Sequence, residues 1–220
     1  MKIVLRIGGS ILGSPPSGEV MASYATIIER ALKKRHKVVL VVGGGPIARQ
    51  YIEAAIKMGL EHREQDLIAI QASRLNARLI GMKLGVPDIP TTVSAAIRRV
   101  ARDNVAVMGG LRPGITTDTV ATLVAQAWRS DLLIKASDQE GIYTTDPRTH
   151  KGARLLPKVS FQTLSTILGG KHAPGIHSII DPVAVERIAK NQLKLVVVDG
   201  RDPENVEAVI QGKTVGTTVS

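Results

Sequence analysis

The chain has 220 residues with 29 Lys+Arg against 19 Asp+Glu, a net charge of +10, and 44% apolar residues. That length and composition exclude a disordered chain and suit one domain with a full hydrophobic core. No cysteine is present, which excludes disulfides, Cys-ligated zinc and thiol catalysis. No run of about 18 uncharged apolar residues occurs, and the start, Met1 to Arg6, lacks the apolar stretch of a signal peptide, so a cytoplasmic protein away from membranes is expected. Positive charge raises a nucleic-acid partner, but Tyr24, Tyr51, Trp128, Tyr143 and Phe161 are too few for a base-stacking platform, so none is expected.

Residues 2–7 predict a short strand ending at Gly8-Gly9, and 20–35 an amphipathic helix through Ile27, Ile28, Ala31 and Leu32. Lys37 to Val42 is a β-branched run suited to a strand buried on both faces. Gly43-Gly44-Gly45 ends it, and Pro46 opens a helix reaching about residue 58. Helices over 65–84 and 94–102 precede a strand over 105–108 and Gly109-Gly110. A helix over 118–129 leads to a strand over 131–135, then a loop or hairpin over 141–156 around Asp146-Pro147. Helices over 160–168 and 181–191, a strand over 195–198, a helix over 203–211 and a strand near 214–219 complete the pattern. Alternating apolar strands and helices predict an α/β fold, an open and mostly parallel sheet between helical layers, as two lobes meeting near 115–130.

Three glycine turns, each straight after a strand, favour phosphate binding, because glycine lets backbone N–H groups approach an anion. Neither a P-loop nor a Rossmann fingerprint is present: Gly212-Lys213-Thr214 ends like a P-loop, but position 207 is Glu. Thr117 or Asp118 reads equally as a helix N-cap or as part of a phosphate or base site. Tyr143 and Asp146 read either as purine and ribose contacts or as an ordinary turn.

These motifs occur in one order: Gly8-Gly9-Ser10, Gly43-Gly44-Gly45 with Ala48-Arg49, Arg74-Leu75-Asn76-Ala77, Gly109-Gly110, Pro113-Gly114, Thr116-Thr117-Asp118, Asp138, Gly141-Ile142-Tyr143, Asp146-Pro147 and Ile180-Asp181-Pro182. Together they resemble the amino acid kinase superfamily, and within it the archaeal-type UMP kinases. The resemblance implies transfer of the ATP γ-phosphoryl to UMP, with Mg²⁺ accompanying ATP and no protein-held metal, in an assembly that is commonly a hexamer. It places Gly9, Ser10, Gly45, Arg49, Ser137, Asp138, Tyr143 and Asp146 at ATP. It places Gly44, Asp66, Gly114, Ile115, Thr116, Thr117, Asp118, Thr119 and Val120 at UMP. It also implies a UMP-binding lobe over about 1–115 and an ATP-binding lobe over about 116–220.

Arg6 stands where many superfamily members carry Lys, and Asp138 where archaeal UMP kinases carry Asn. The expected catalytic pair is therefore Arg6, neutralising the transferred phosphoryl group, and Asp138, holding Arg6 or a nearby Lys. Alternative readings are another kinase of this fold, acting on a carboxylate, carbamate or isopentenyl phosphate, or a non-catalytic nucleotide-binding or storage protein.

Overall fold

A computed structural model describes residues 1–168 and 179–220. Its seven strands are β1 (Lys2–Ile7), β2 (Lys37–Val42), β3 (Val105–Met108), β4 (Leu132–Ser137), β5 (Lys158–Val159), β6 (Leu195–Asp199) and β7 (Thr217–Val219). The helices are α1 (Gly18–Lys33), α2 (Gly45–Lys57), α3 (His62–Lys83), α4 (Val93–Asp103), α5 (Thr117–Trp128), α6 (Phe161–Leu168), α7 (Pro182–Asn191) and α8 (Glu204–Ile210). The strands form one sheet in the order β3-β2-β1-β4-β6-β7-β5. Every pairing is parallel except β6 with β7. The expected elements are all present within a few residues. The two-residue β5 was not anticipated, because so short a strand carries no periodic signal.

Alternation along each strand divides the core. Ile3, Leu5, Ile7 and Leu40 face a layer containing Tyr24, Ile28, Ile80 and Val206 from α1, α3 and α8. Val4, Val39, Val41 and Leu133 face Val100, Val124 and Val185 from α4, α5 and α7. Residues at odd positions of β4 therefore share a face with even positions of β1, and the register pairs Arg6 with Lys135.

Strand order reverses at this point. From β1 the chain steps outward through β2 to β3, then α5 returns it to β4 on the other side of β1. A crevice opens beyond the carboxyl ends of strands wherever a parallel sheet reverses in this way. The first two glycine turns close one side of it. A Cβ on Gly9 would overlap the Gly45 backbone, and Gly45 has φ of +64°, so both positions demand glycine.

Candidate active site

Two clefts flank the sheet reversal. The first, about 300 Å³, is lined by Gly44, Gly45, Asp66, Ser73, Gly110 and Arg112 together with Gly114 to Thr117. The second, about 420 Å³, is lined by Arg6, Gly8, Ser10, Arg49, Lys135, Arg148 and Ile179 with Asp118, Ser137, Asp138 and Gln139.

Helix α3 sets the shape of the first cleft. It begins with a capping box in which Glu61 and Glu64 satisfy each other's backbone N–H groups. Four of its side chains then hold three turns. The Asn76 amide donates to the carbonyls of Gly43 and Gly44 at 3.0 and 3.3 Å. Ser73 accepts from the Gly110 N–H at 2.8 Å, and Arg74 donates to the carbonyls of Gly110 and Leu111. Asp66 accepts from the Gly114 N–H at 2.7 Å. Asp66 also lines the cleft, and its carboxylate has acceptor capacity left for a hydroxyl there.

The second cleft is dominated by cations. Four (Arg6, Arg49, Lys135 and Arg148) face two carboxylates (Asp118 and Asp138). Asp118 lies 2.7 Å from Arg6 Nε and 2.6 Å from Lys135 Nζ, with the Asp118 and Lys135 side chains 12% and 6% exposed. Lys135 donates a true hydrogen bond. Arg6 Nε–H is not aligned on the carboxylate, so that contact is one of charge alone. Arg6 Nη2 donates instead to Thr117 Oγ1 at 3.2 Å, which carries the guanidinium to the boundary of the two clefts.

The electrostatics follow from burial. Desolvation pushes the Asp118 pKa up, but Arg6 and Lys135 outweigh it, so the carboxyl titrates below its usual range. Burial and the adjacent Arg6 lower Lys135 to about 8, against the opposing pull of Asp118. Two cations on one carboxylate leave an excess positive charge aimed at the second cleft. Removing Asp118 would leave two buried like charges in contact, a loss of about 3–5 kcal/mol of stability.

Ser10, Arg49, Ser137 and Asp138 line the second cleft. Gly45 lines the first cleft instead, with Gly9 packed against it. Tyr143 donates to Glu140 at 2.7 Å, and Asp146 accepts from the guanidinium of Arg148, so its reach into the second cleft is through that arginine. Gly114, Ile115, Thr116 and Thr117 line the first cleft, while Asp118 turns to the second. Thr119 and Val120 lie behind both, 2% and 0% exposed, because the helix advances about 100° per residue and carries them inward.

The pairing of Arg6 with Asp138 is corrected: Asp118 contacts Arg6. Lys135 and Ser137 share the face of Arg6 on the paired strands, whereas Asp138 lies one residue past the end of β4 and lines the same cleft without pairing with Arg6. Asp138 accepts from Ser137 Oγ at 3.4 Å and acts electrostatically on Arg148 and Arg201. Lys135, Ser73 and Asn76 were not among the expected site residues. Their signal was a charged or polar residue inside an otherwise apolar strand or helix face.

A model of the amino acid kinase family matches residues 1–199. The chain belongs to the amino acid kinase family. It is 35% identical over 221 residues to a uridylate kinase of Hyperthermus butylicus, covering 99% of this chain and 97% of that one. It is 38% identical over 214 residues to a uridylate kinase of Methanosarcina barkeri, covering 96% and 91%. A crystal structure of uridylate kinase from Archaeoglobus fulgidus matches with a TM-score of 0.92 at 34% identity over 100% of both chains. The UMP kinase of Bacillus anthracis, at 19% identity and a TM-score of 0.82, shares the fold.

Within this family member, the charge of Lys135 is testable without any substrate. Calorimetric affinity for inorganic tripolyphosphate should weaken as pH rises through about 8, as Lys135 loses its proton. The total loss should be roughly tenfold, the share of one charge-assisted contact. Lys135→Arg should remove that pH dependence; an equal alkaline loss in the variant would exclude Lys135 as its source. Stability should move oppositely. The folded chain holds this proton less tightly than the unfolded chain, so unfolding free energy should rise from pH about 8 towards 10.5.

Proposed function

We propose that the chain is a UMP kinase, catalysing ATP + UMP → ADP + UDP, with the second cleft taking ATP and the first taking UMP. The observation that carries this assignment is the Arg6–Asp118–Lys135 cluster at the boundary of the two clefts. The full-length similarity to uridylate kinases supports the choice of nucleotide. A triphosphate needs the greater cationic charge, and among the described residues the second cleft has four cations while the first has Arg112.

A phosphate oxygen of UMP attacks the γ-phosphorus in line. The bond to the β–γ bridging oxygen breaks, and its electron pair leaves with ADP. No protein nucleophile is required, so rate comes from alignment and charge neutralisation. Arg6 and Lys135 face the γ-phosphoryl group, Asp118 fixes their spacing, and the α5 N-terminus adds its dipole. Asp66 takes a ribose hydroxyl, and the Thr117 hydroxyl, with the backbone of the turn at Thr116, holds the acceptor's polar groups. Arg49 and Arg148 meet the remaining ATP phosphates.

Mg²⁺ suits this arrangement as a companion of ATP. Among the described residues no group of three or more His, Asp or Glu converges, and the second cleft offers Asp138 as a carboxylate facing solvent. Such a site fits an ion carried largely by phosphates and water, whose chemistry is to neutralise charge on the β- and γ-oxygens. Among these residues no helix is long and apolar enough to cross a membrane. A cytoplasmic role in pyrimidine nucleotide synthesis fits the reaction.

Self-association belongs to the same reading. Helix α3 exposes Leu75, Leu79 and Met82 on one stripe at 62%, 47% and 58%. Tyr51 and Ile68 join Leu75 along an adjoining groove of about 650 Å³. A contiguous apolar face of this kind is a protein contact surface, and a homohexamer would cover it. Leu75→Glu should lower the mass measured by light scattering, whereas an unchanged mass would exclude this face.

The two clefts should separate in kinetics. Asp66→Asn should raise the UMP KM by about tenfold or more, as for a lost charged hydrogen bond, with the ATP KM nearly unchanged. Arg6→Ala should lower kcat by about 10²–10³ with little change in UMP KM. A collapse of ATP affinity in Asp66→Asn would mean that the clefts are assigned the wrong way round.

A further inference from the structure

The Ile180-Asp181-Pro182 motif has no role in the account so far, yet its carboxylate is among the most heavily engaged in the molecule. Asp181 caps α7, accepting from the Ala184 N–H at 3.0 Å, with Pro182 at the first helical position. The same carboxylate accepts from Thr116 Oγ1 at 2.5 Å and from Thr119 Oγ1 at 3.0 and 3.2 Å. Its backbone N–H supports the Asp118 carboxylate, and its charge supports the protonated form of Lys135.

Thr116 has one hydroxyl proton, and Asp181 takes it. The hydroxyl oxygen is then left to accept, and it accepts from the N–H groups of Asp118 and Thr119 at 3.1 and 3.2 Å. Asp181 thereby sets the rotamer of the α5 cap and the path of the turn from Gly114 to Thr117. That turn lines the first cleft, and Ile179, two residues before Asp181, lines the second.

We infer that Asp181 is a positioning residue that locks the acceptor turn, through Thr116 and Thr119, in register with the Arg6–Asp118–Lys135 cluster. In the kinetic arm this rests on UMP being the acceptor. The competing role is a cap for α7 alone, and serine separates the two. A serine N-cap serves α7 as well as aspartate, but its shorter side chain does not span to both threonines.

The test compares Asp181→Ser, Asp181→Asn and Thr119→Val in the full chain. Asp181→Ser should keep its melting temperature within a few degrees of the parent. Its UMP KM should rise by roughly tenfold, as for loss of hydrogen bonds to a charged acceptor, with ATP KM nearly unchanged. Asp181→Asn, which retains an oxygen for one hydroxyl, should recover part of that loss. Thr119→Val, which leaves the α7 cap intact, should raise UMP KM in the same direction. Hydrogen–deuterium exchange should speed up over residues 114–120 in Asp181→Ser while α7 stays protected. Parental UMP KM and unchanged exchange in both Asp181→Ser and Thr119→Val would overturn the inference. If Asp181→Ser does not fold, Thr119→Val and Asp181→Asn decide it by the same two readouts. Failure of the parent enzyme to phosphorylate UMP would overturn the acceptor assignment instead, and exchange over 114–120 would still decide the role of Asp181.

Discussion

Two cations share one carboxylate at the buried end of the two central strands, and the site is organised around that cost. Arg6 and Lys135 are register partners on β1 and β4, in positions that apolar residues fill elsewhere on this face. Side by side they repel, and burial penalises both charges. Asp118, at the first turn of α5, makes the arrangement tolerable without cancelling it. The remaining positive charge is held in place before any ligand arrives. Preorganised charge of this kind stabilises a phosphoryl group without reorganisation at the moment of transfer.

The first cleft is built on a different principle. Its polar groups are mostly backbone, and α3 holds them through Asp66, Ser73, Arg74 and Asn76. A long helix closed by a capping box is a rigid support, so the glycine turns need little internal stability of their own. This division explains why the two clefts differ in charge although they share the α5 N-terminus. The cationic cleft draws Arg6, Gly8, Ser10 and Arg49 from before residue 115, and Asp118, Lys135, Ser137, Asp138, Gln139, Arg148 and Ile179 from after it.

Much of the architecture was legible because the strands are short β-branched runs closed by glycine, and the helices carry caps and apolar stripes. Val38 to Val42 and Leu195 to Val198 can be little else than strands buried on both faces. The glycine turns and the Thr116–Thr117 segment, legible as candidates, and Asp66 and Arg49, picked out by the family resemblance, all lie along the two clefts. The partner of Arg6 was not legible. Residues 6, 118 and 135 meet only because β4 returns beside β1 and α5 begins where it does, and no local pattern encodes that register. Lys135 did carry a signal, a single charge within Leu-Leu-Ile-Lys-Ala-Ser, which makes sense only with a buried counter-ion. Asp181 reads locally as a helix cap, and its hold on Thr116 is visible only in three dimensions.

The central claim is that the Arg6–Asp118–Lys135 cluster faces the transferred phosphoryl group. The most direct measurement is the pKa of the Lys135 ammonium, followed by NMR with side-chain-labelled lysine and assigned by comparison with Lys135→Arg. It should be made on the free enzyme and on the complex with UMP and a non-hydrolysable ATP analogue. The account predicts a value near 8 in the free enzyme and a clear rise in the complex, because a phosphoryl anion favours the charged amine. An unchanged value with both nucleotides bound would contradict it, placing the reacting phosphate away from Lys135.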